Sequence, residues 1–260
     1  MHRLLVDSAT LDMDCAILTK DNAAHVRVVR PKDGEEFELF DGRGSTRTYK
    51  WSAASKALFS SAAKSTKYRN PSASQSHNRT ISQSHNFSLS LFACVTKGQR
   101  WDWTLQKATE LGISKIIPVI SERTIVRIAP GECAAKKARW QKICEEAARQ
   151  SDAIWLPEIS EPVDFATAVS EAAKTTCFVG ALATPPPEPI LKAVTRALEN
   201  GANGAFSVFI GPEGDFTPAE LASLLNVAIP TSFGPTILRA ETAAIFAISV
   251  LSAAIMRNEE

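Results

Sequence analysis

From residue 87 onward the chain alternates short apolar runs with amphipathic stretches of helical length, and few architectures accept that order. The runs that read as strands are residues 88–95, 115–121, 176–182, 207–210 and 227–233. Helices are predicted near 101–111, 136–150, 188–199 and 217–225, with a last one over 240–256. The first carries Trp101, Leu105, Ala108 and Leu111 on one face, and Gly112 ends it. The second groups Trp140, Ile143, Cys144, Ala147 and Ala148. Strands this apolar, joined by helices, bury both faces, so the expected class is α/β with a parallel sheet covered on both sides. Ligands of such sheets sit where loops leave the carboxyl ends of the strands.

Three loops occupy those ends. The first is Gly180-Ala181-Leu182-Ala183-Thr184, followed by the triple proline 185–187. The second is Ile210-Gly211-Pro212-Glu213-Gly214-Asp215-Phe216, where Pro212 fixes the chain direction and Gly214 is expected to turn bare backbone toward a ligand. Thr217-Pro218-Ala219-Glu220 then reads as a capping box with proline at the first helical position. The third, 233–242, repeats the Gly-Pro element at Gly234-Pro235 and opens the last helix with Arg239 and Glu241. Together they offer backbone donors, apolar walls and few ionisable groups. That suits a ligand with an adenine ring, a sugar and a cationic sulfonium.

Other chemistries fit poorly. No GxxxxGK[ST] loop is present for ATP, and no GxGxxG follows the first strand of the sheet for NAD. All four histidines (His2, His25, His77, His85) precede residue 87, so the α/β half has no imidazole for a Ser-His-Asp or Cys-His arrangement. The five cysteines (Cys15, Cys94, Cys133, Cys144, Cys177) are scattered without a CxxC pair, which argues against a disulfide framework and a metal site. No apolar run approaches the roughly 20 residues of a membrane span, and the opening MHRLLVDSATLDMDC lacks a signal-peptide core. A cytoplasmic protein with no membrane partner is expected.

Residues 1 to about 58 read as a small β-rich unit, with strands at 3–6 and 36–40 and a hairpin turn at Asp41-Gly42-Arg43-Gly44. A short helix is predicted over 21–30, capped by Asp21 and exposing His25, Arg27 and Arg30. Residues 60–86 are rich in Ser, Lys and Asn and carry SQSHN twice, at 74–78 and 82–86, which predicts a linker or long loop. Net charge is only +1, but its distribution is uneven. Residues 42–101 hold ten Lys or Arg, among them Arg43, Arg47, Lys50, Lys97 and Arg100, and no Asp or Glu. Up to residue 101 there are 15 basic against 9 acidic residues, and 14 against 19 thereafter. A basic front on an acidic back predicts a polyanion held by one end.

At these motifs the chain resembles the bacterial 16S ribosomal RNA (uracil-N3)-methyltransferase family of the SPOUT superfamily. The likeness runs through Met1-His2-Arg3, the 25–30 segment HVRVVR, Leu39-Phe40-Asp41-Gly42, Lys97-Gly98-Gln99-Arg100 and the 106–112 segment QKATELG. It continues through Ser121-Glu122-Arg123, Ile210-Gly211-Pro212-Glu213-Gly214 and the 234–242 segment GPTILRAET. A single piece such as GPEG is unspecific, whereas the ordered set is specific.

The resemblance implies a PUA-like RNA-binding barrel over 1–72, a polar linker over 73–87, and a SPOUT methyltransferase domain over 88–260 with a trefoil knot near 205–245. It implies S-adenosylmethionine as cofactor, ribosomal RNA of the small subunit as substrate, a homodimer, and no metal. Arg239 would stabilise charge on the uracil edge, with Glu213 or Glu241 accepting the proton or orienting the base. Leu182, Gly211, Pro212, Gly214, Phe233 and Leu238 would form the cofactor site. Arg3, His25, Arg27, Arg30, Arg43, Arg47, Lys97 and Arg100 would contact RNA. The chain departs from the family pattern at Asp215, where a second glycine is common, at Thr236, where arginine is usual, and at Ala153, within a segment lacking a Gly-Arg pair. Those departures leave two alternatives: a non-catalytic RNA-binding assembly factor, or a SPOUT enzyme acting on another RNA site.

Overall fold

The computed structural model describes residues 1–61, 66–67, 87–182 and 185–258. Both SQSHN repeats, His77 and His85, and all of the expected linker except Phe87 lie outside the described residues, as do Ala183 and Thr184 of the first loop. The chain forms two compact units. One comprises Met1–Asn78 and Ala148–Leu156, the other Arg79–Ala147 and Pro157–Glu260. The sequence alone places 148–156 with the second unit.

The first unit holds β1 (His2–Leu5), α1 (Ser8–Leu11), β2 (Cys15–Ala16), α2 (Lys20–Val29), β3 (Glu36–Phe40), β4 (Ser45–Ser52), β5 (Ala57–Ser60) and β6 (Thr66–Lys67). Its mixed sheet runs β1-β3-β4-β5-β2, with β6 on β4. Only the β1–β3 pair among these is parallel. The core is Leu4, Leu11, Val26, Phe37, Leu39, Tyr49 and Leu58 with smaller neighbours. The hairpin turn forms where expected, and Gly42 and Gly44 both take positive φ. A Cβ on Gly44 would stand 2.4 Å from the Trp155 ring, and one on Gly42 2.6 Å from Leu156. That close approach accounts for the return of 148–156 to this unit. The cap of α2 differs from expectation. Thr19 accepts from Asn22 N at 3.2 Å, and Asp21 sits in the first turn, where its charge complements the helix dipole.

The second unit is built from β7 (Phe87–Cys94), α3 (Gln99–Glu110), β8 (Lys115–Ile120), most of α4 (Cys133–Gln150), β9 (Glu158–Ile159), β10 (Val163–Asp164), α5 (Phe165–Ala172), β11 (Thr176–Gly180), α6 (Ile190–Glu199), β12 (Gly204–Ile210), α7 (Pro218–Leu225), β13 (Ala228–Thr231) and α8 (Ala240–Asn258). The sheet runs β10-β8-β7-β12-β11-β13, with β9 on β8, and every pair is parallel. Alternate residues supply two cores. Leu89, Leu91, Phe206 and Val208 pack with α3, α6 and α8 on one face, while Phe92, Cys94 and Phe209 pack with α5 and α7 on the other. This is the two-sided burial that the apolar strands demand.

The order of the last strands positions the site. From β11 the chain passes through α6 to β12, which lies between β11 and β7. It then passes through α7, on the opposite face, to β13 on the far side of β11. The direction of strand addition therefore reverses around β11, and the loops after β11, β12 and β13 diverge there. The last helix is long and apolar enough by length and composition to cross a bilayer, with mean hydropathy 1.5. Its apolarity is accounted for by seven buried apolar residues, including Ala247, Ile248, Leu251 and Ile255, packed in the core.

Candidate functional site

A cleft of about 520 Å³ opens where the three loops diverge, within the size range of small-molecule sites. The first loop contributes Gly180, Ala181 and Leu182, and the third contributes Ser232, Phe233, Thr236, Leu238 and Arg239. Gly180 is required by contact. A Cβ there would fall 2.6 Å from Cε2 of Phe233, so the bare backbone lets the ring lie against the loop. Phe233 in turn packs against Phe246 with centroids 6.0 Å apart.

The second loop contributes Gly211, Pro212, Glu213 and Asp215 and is held at several points. Asp215 N donates to Pro212 O at 3.0 Å, closing the turn. The positive φ falls on Asp215, at 58°, and its Oδ1 accepts from Phe216 N at 2.7 Å. Asp is one of the few side chains tolerant of this region, because it can bond its own backbone. Phe216 is buried against Phe165 and Phe209. The capping box forms as predicted, with Glu220 N donating to Thr217 Oγ1 and Thr217 N to Glu220 Oε2. Glu220 Oε1 also accepts from Glu122 N at 2.9 Å. Arg123 Nη1 donates to Gly214 O at 3.0 Å. The 121–124 turn thus clamps the second loop from outside the cleft.

Arg100, Glu213, Asp215 and Arg239 are the charged residues that line the cleft, and the first two form an ion pair. Arg100, in the first turn of α3, donates from Nη1 to Glu213 Oε1 at 3.3 Å. Its Nε lies 3.9 Å from Glu241 Oε1. Glu241 is mostly buried, and its Oε2 has no hydrogen-bond partner among the described residues. Arg239 immediately precedes α8, its carbonyl accepting from Ala243 N at 2.8 Å. The Arg239 side chain is exposed on the cleft wall and makes no hydrogen bond or ion pair among the described residues.

Of the residues singled out from sequence, Leu182, Gly211, Pro212, Glu213, Phe233, Leu238 and Arg239 come together on this wall. Two do not. Gly214 faces Arg123, whose Cβ would lie 3.6 Å from a methyl carbon added at that glycine, and Glu241 meets Arg100 instead of lining the cleft. Arg100, expected among the phosphate contacts, is engaged by two carboxylates. Sequence reasoning missed its place in the cleft, and no local signal marks it, since its partners lie over 100 positions away. The sequence likewise offers no sign of the clamp by Arg123, although Ser121-Glu122-Arg123 belongs to the motif set.

Two further expectations require correction. Arg3 is buried, stacks over Phe40 at 4.4 Å, and bonds Glu38 and the carbonyls of Ala148 and Ala153. Arg47 is buried and bonds the carbonyls of Leu11 and Met13 and the carboxylate of Asp14. Both serve the interior of the first unit, and a guanidinium so enclosed is out of reach of a phosphate. Arg27, Arg30, Arg43 and Lys97 are exposed, and His25 is half-buried. The buried thiols are no nucleophiles at neutral pH: burial pushes Cys94 up to about 11 and Cys144 and Cys177 to about 12.

The chain is similar to proteins named ribosomal RNA small subunit methyltransferase E. It is 30% identical to that of Bacillus subtilis over 158 residues, 60% of this chain and 62% of the relative. It is 28% identical to that of Synechocystis over 228 residues, 87% of this chain and 69% of the relative. The matched stretch thus spans less than two thirds of the B. subtilis relative's length. A solved structure from Legionella pneumophila, described as a methyltransferase in complex with the bound cofactor SAM, is 28% identical. It superposes with a TM-score of 0.76 over 97% of both chains. Residues 83–252 match the family model described as RNA methyltransferase domain, and the chain belongs to that family.

Proposed function

We propose that this chain transfers a methyl group from S-adenosylmethionine to N3 of a uridine in 16S ribosomal RNA. The observation that carries the reading is the cleft at the strand reversal around β11, with apolar walls, exposed backbone and the Arg100–Glu213 ion pair beside Arg239. The cofactor fits that chemistry. Gly180 and Phe233 leave a flat apolar wall for a ring system, and the Arg100–Glu213 pair supplies charge for a polar end. A relative covering 97% of this chain was solved with SAM bound. The same reading takes the first unit as a PUA-like RNA-binding module and the 205–245 segment as knotted. It takes the working form as a cytoplasmic homodimer.

When bound, S-adenosylmethionine supplies an electrophilic methyl carbon. The protein's share of an in-line transfer is mostly positioning. N3 is tied up in pairing when the base is in a helix, so the target must be an unpaired or flipped uridine. Arg239 carries the chemical role in this reading. Its unengaged guanidinium donates to a uracil carbonyl oxygen and stabilises the negative charge that appears as the N3 proton passes to water. The rigid second loop keeps the cleft shaped, while Arg43 and the exposed face of α2 hold phosphates on the first unit and Lys97 does so by itself on the second.

The test is mass-spectrometric mapping of methylated uridines in 16S ribosomal RNA with and without the gene, beside calorimetry with S-adenosylmethionine. One uridine mark lost with the gene and restored by the wild-type chain is expected. Cofactor binding without any change in the RNA would favour another substrate. RNA binding without cofactor binding would favour the assembly-factor reading.

A further inference from the structure

We infer that Arg100 and Glu213 form a receptor for the amino-acid end of the cofactor, with Glu241 positioning the guanidinium. The inference rests on the cofactor reading above and assigns residues to one part of that ligand.

The ion pair is incomplete in a specific way. Arg100 uses Nη1 on Glu213 Oε1, at 3.3 Å, and its Nε is 3.9 Å from Glu241 Oε1. Among the described residues no hydrogen bond engages Arg100 Nη2 or Glu213 Oε2. The pair therefore keeps one cationic donor edge and one anionic acceptor, side by side on the cleft wall. An α-amino acid presents the complementary set, a carboxylate beside an ammonium. A planar guanidinium matches the carboxylate through parallel N–H donors, and the carboxylate of Glu213 accepts from the ammonium.

Charge balance points the same way. Two carboxylates face one guanidinium here, leaving one negative charge in excess. Glu241 is only 13% exposed, and its Oε2 is buried without a hydrogen-bond partner among the described residues. Such an arrangement is costly until a cation approaches. A ligand carrying both a sulfonium and an ammonium supplies that charge. The other charged groups on the wall are less suited. Asp215 Oδ1 is occupied by Phe216 N, and Arg239 has no carboxylate beside it among the described residues. This assignment makes Glu213 a binding group, not the acceptor of the N3 proton. Glu241, off the cleft wall, acts only through Arg100.

The test compares two ligands that differ only in that end. S-adenosylhomocysteine keeps the amino acid; 5′-methylthioadenosine lacks it. Calorimetry with the full chain should show Arg100→Gln and Glu213→Gln losing affinity for S-adenosylhomocysteine by on the order of 10- to 100-fold. Affinity for 5′-methylthioadenosine should stay within about twofold in the same variants, since loss of one charge-assisted bond does not touch the nucleoside. Arg100→Lys, which keeps the charge but not the fork, should give an intermediate loss for the first ligand only. Equal losses for both ligands would mean that the pair merely supports the cleft, and unaltered affinity for S-adenosylhomocysteine would mean that it is not a contact. Either result overturns the assignment while leaving the cofactor reading intact. Wild-type protein binding neither ligand would overturn both.

Discussion

The Arg123 guanidinium donates to the carbonyl of Gly214, 91 residues further along the chain, at 3.0 Å. The same Nη1 lies 3.4 Å from Phe216 O, so one side chain spans the second cleft loop on its outer side. The loop then meets the cleft with Gly211, Pro212 and Glu213 at fixed positions. Arg123→Ala should loosen the loop without touching the ligand. Loss of a hydrogen bond to a charged group typically costs about 1.5–3 kcal/mol, and exposure of Arg123 places the effect at the low end. The expected outcome is roughly tenfold weaker cofactor binding by calorimetry with a melting temperature lowered by only a few degrees. Wild-type affinity in the variant would show that the loop holds its shape unaided.

Gly180 tests the opposite wall. A methyl group there would meet the Phe233 ring at 2.6 Å, so Gly180→Ala forces the ring into the cleft or away from Phe246. Overpacking of this kind costs about 1–3 kcal/mol. Trimming the obstacle in the double variant Gly180→Ala with Phe233→Leu should restore part of the stability. A thermal-melt cycle on the four proteins measures the coupling, and additive losses would mean that the two residues do not compete for space.

Arg3 and Arg43 separate structure from recognition within one unit. Arg3 is enclosed by Glu38, two carbonyls and the Phe40 ring, whereas the Arg43 side chain is exposed. Arg3→Ala leaves a partly buried carboxylate uncompensated and should cost about 3 kcal/mol in chemical denaturation. Arg43→Ala should leave stability nearly unchanged and reduce the salt slope of RNA binding by about one. A salt slope altered by neither variant would remove this face from the RNA contact.

The buried thiols give a pH dependence with a definite sign. Burial holds Cys94, Cys144 and Cys177 protonated in the fold up to about 11, 12 and 12, well above the range of a solvated thiol. The unfolded chain, whose thiols are solvated, loses those protons first as pH rises. Stability is therefore fully present below about pH 9 and falls progressively from there toward 12. Thermal melts across that window should show the decline, smaller in Cys177→Ala. In native protein a thiol reagent should modify Cys15, which is exposed, and spare the three buried sulfurs until unfolding. Rapid modification of all five would contradict their burial.

Much of the second unit was legible because its strands are apolar on both faces and its helices are punctuated by Gly, Pro and a capping box. The five long parallel strands fall within about three residues of expectation at either end. What stayed hidden has identifiable causes. β9 and β10 have two residues each, too few for any periodicity, and α5 follows directly from β10 without a break. β4 reads STRTYKWS, and its inward face includes Arg47, which no hydrophobic pattern would choose. Arg3 and Arg47 look like phosphate ligands because a buried guanidinium and an RNA-binding one use the same donors. The difference lies in carbonyls that are distant in sequence, such as Ala148 and Ala153 for Arg3. In the cleft, the Gly-Pro loops announced themselves, whereas Arg100 acquires its partners only through strand order.

Arg239 is the residue on which the proposed chemistry depends most. The start of α8 fixes its backbone through the Ala243 N to Arg239 O bond at 2.8 Å. Its side chain reaches the cleft wall with no carboxylate attached to it among the described residues. Without such a partner, the guanidinium is free to meet charge that develops on a substrate, and its removal leaves no buried ion uncompensated. Losing one preorganised donor of this kind typically lowers the rate on the order of 100-fold or more. Arg239→Ala should therefore fall by about that factor in single-turnover methylation of the RNA substrate, with its melting temperature within about 2 °C of wild type. Arg239→Lys keeps the charge but loses the planar fork, so it should recover only part of the rate. Cofactor affinity should change little in either variant, because the amino-acid end is assigned to Arg100 and Glu213. A near-normal rate in Arg239→Ala would remove it from the chemistry. A rate loss matched by a collapse of the melting curve would make it a structural residue of the last loop.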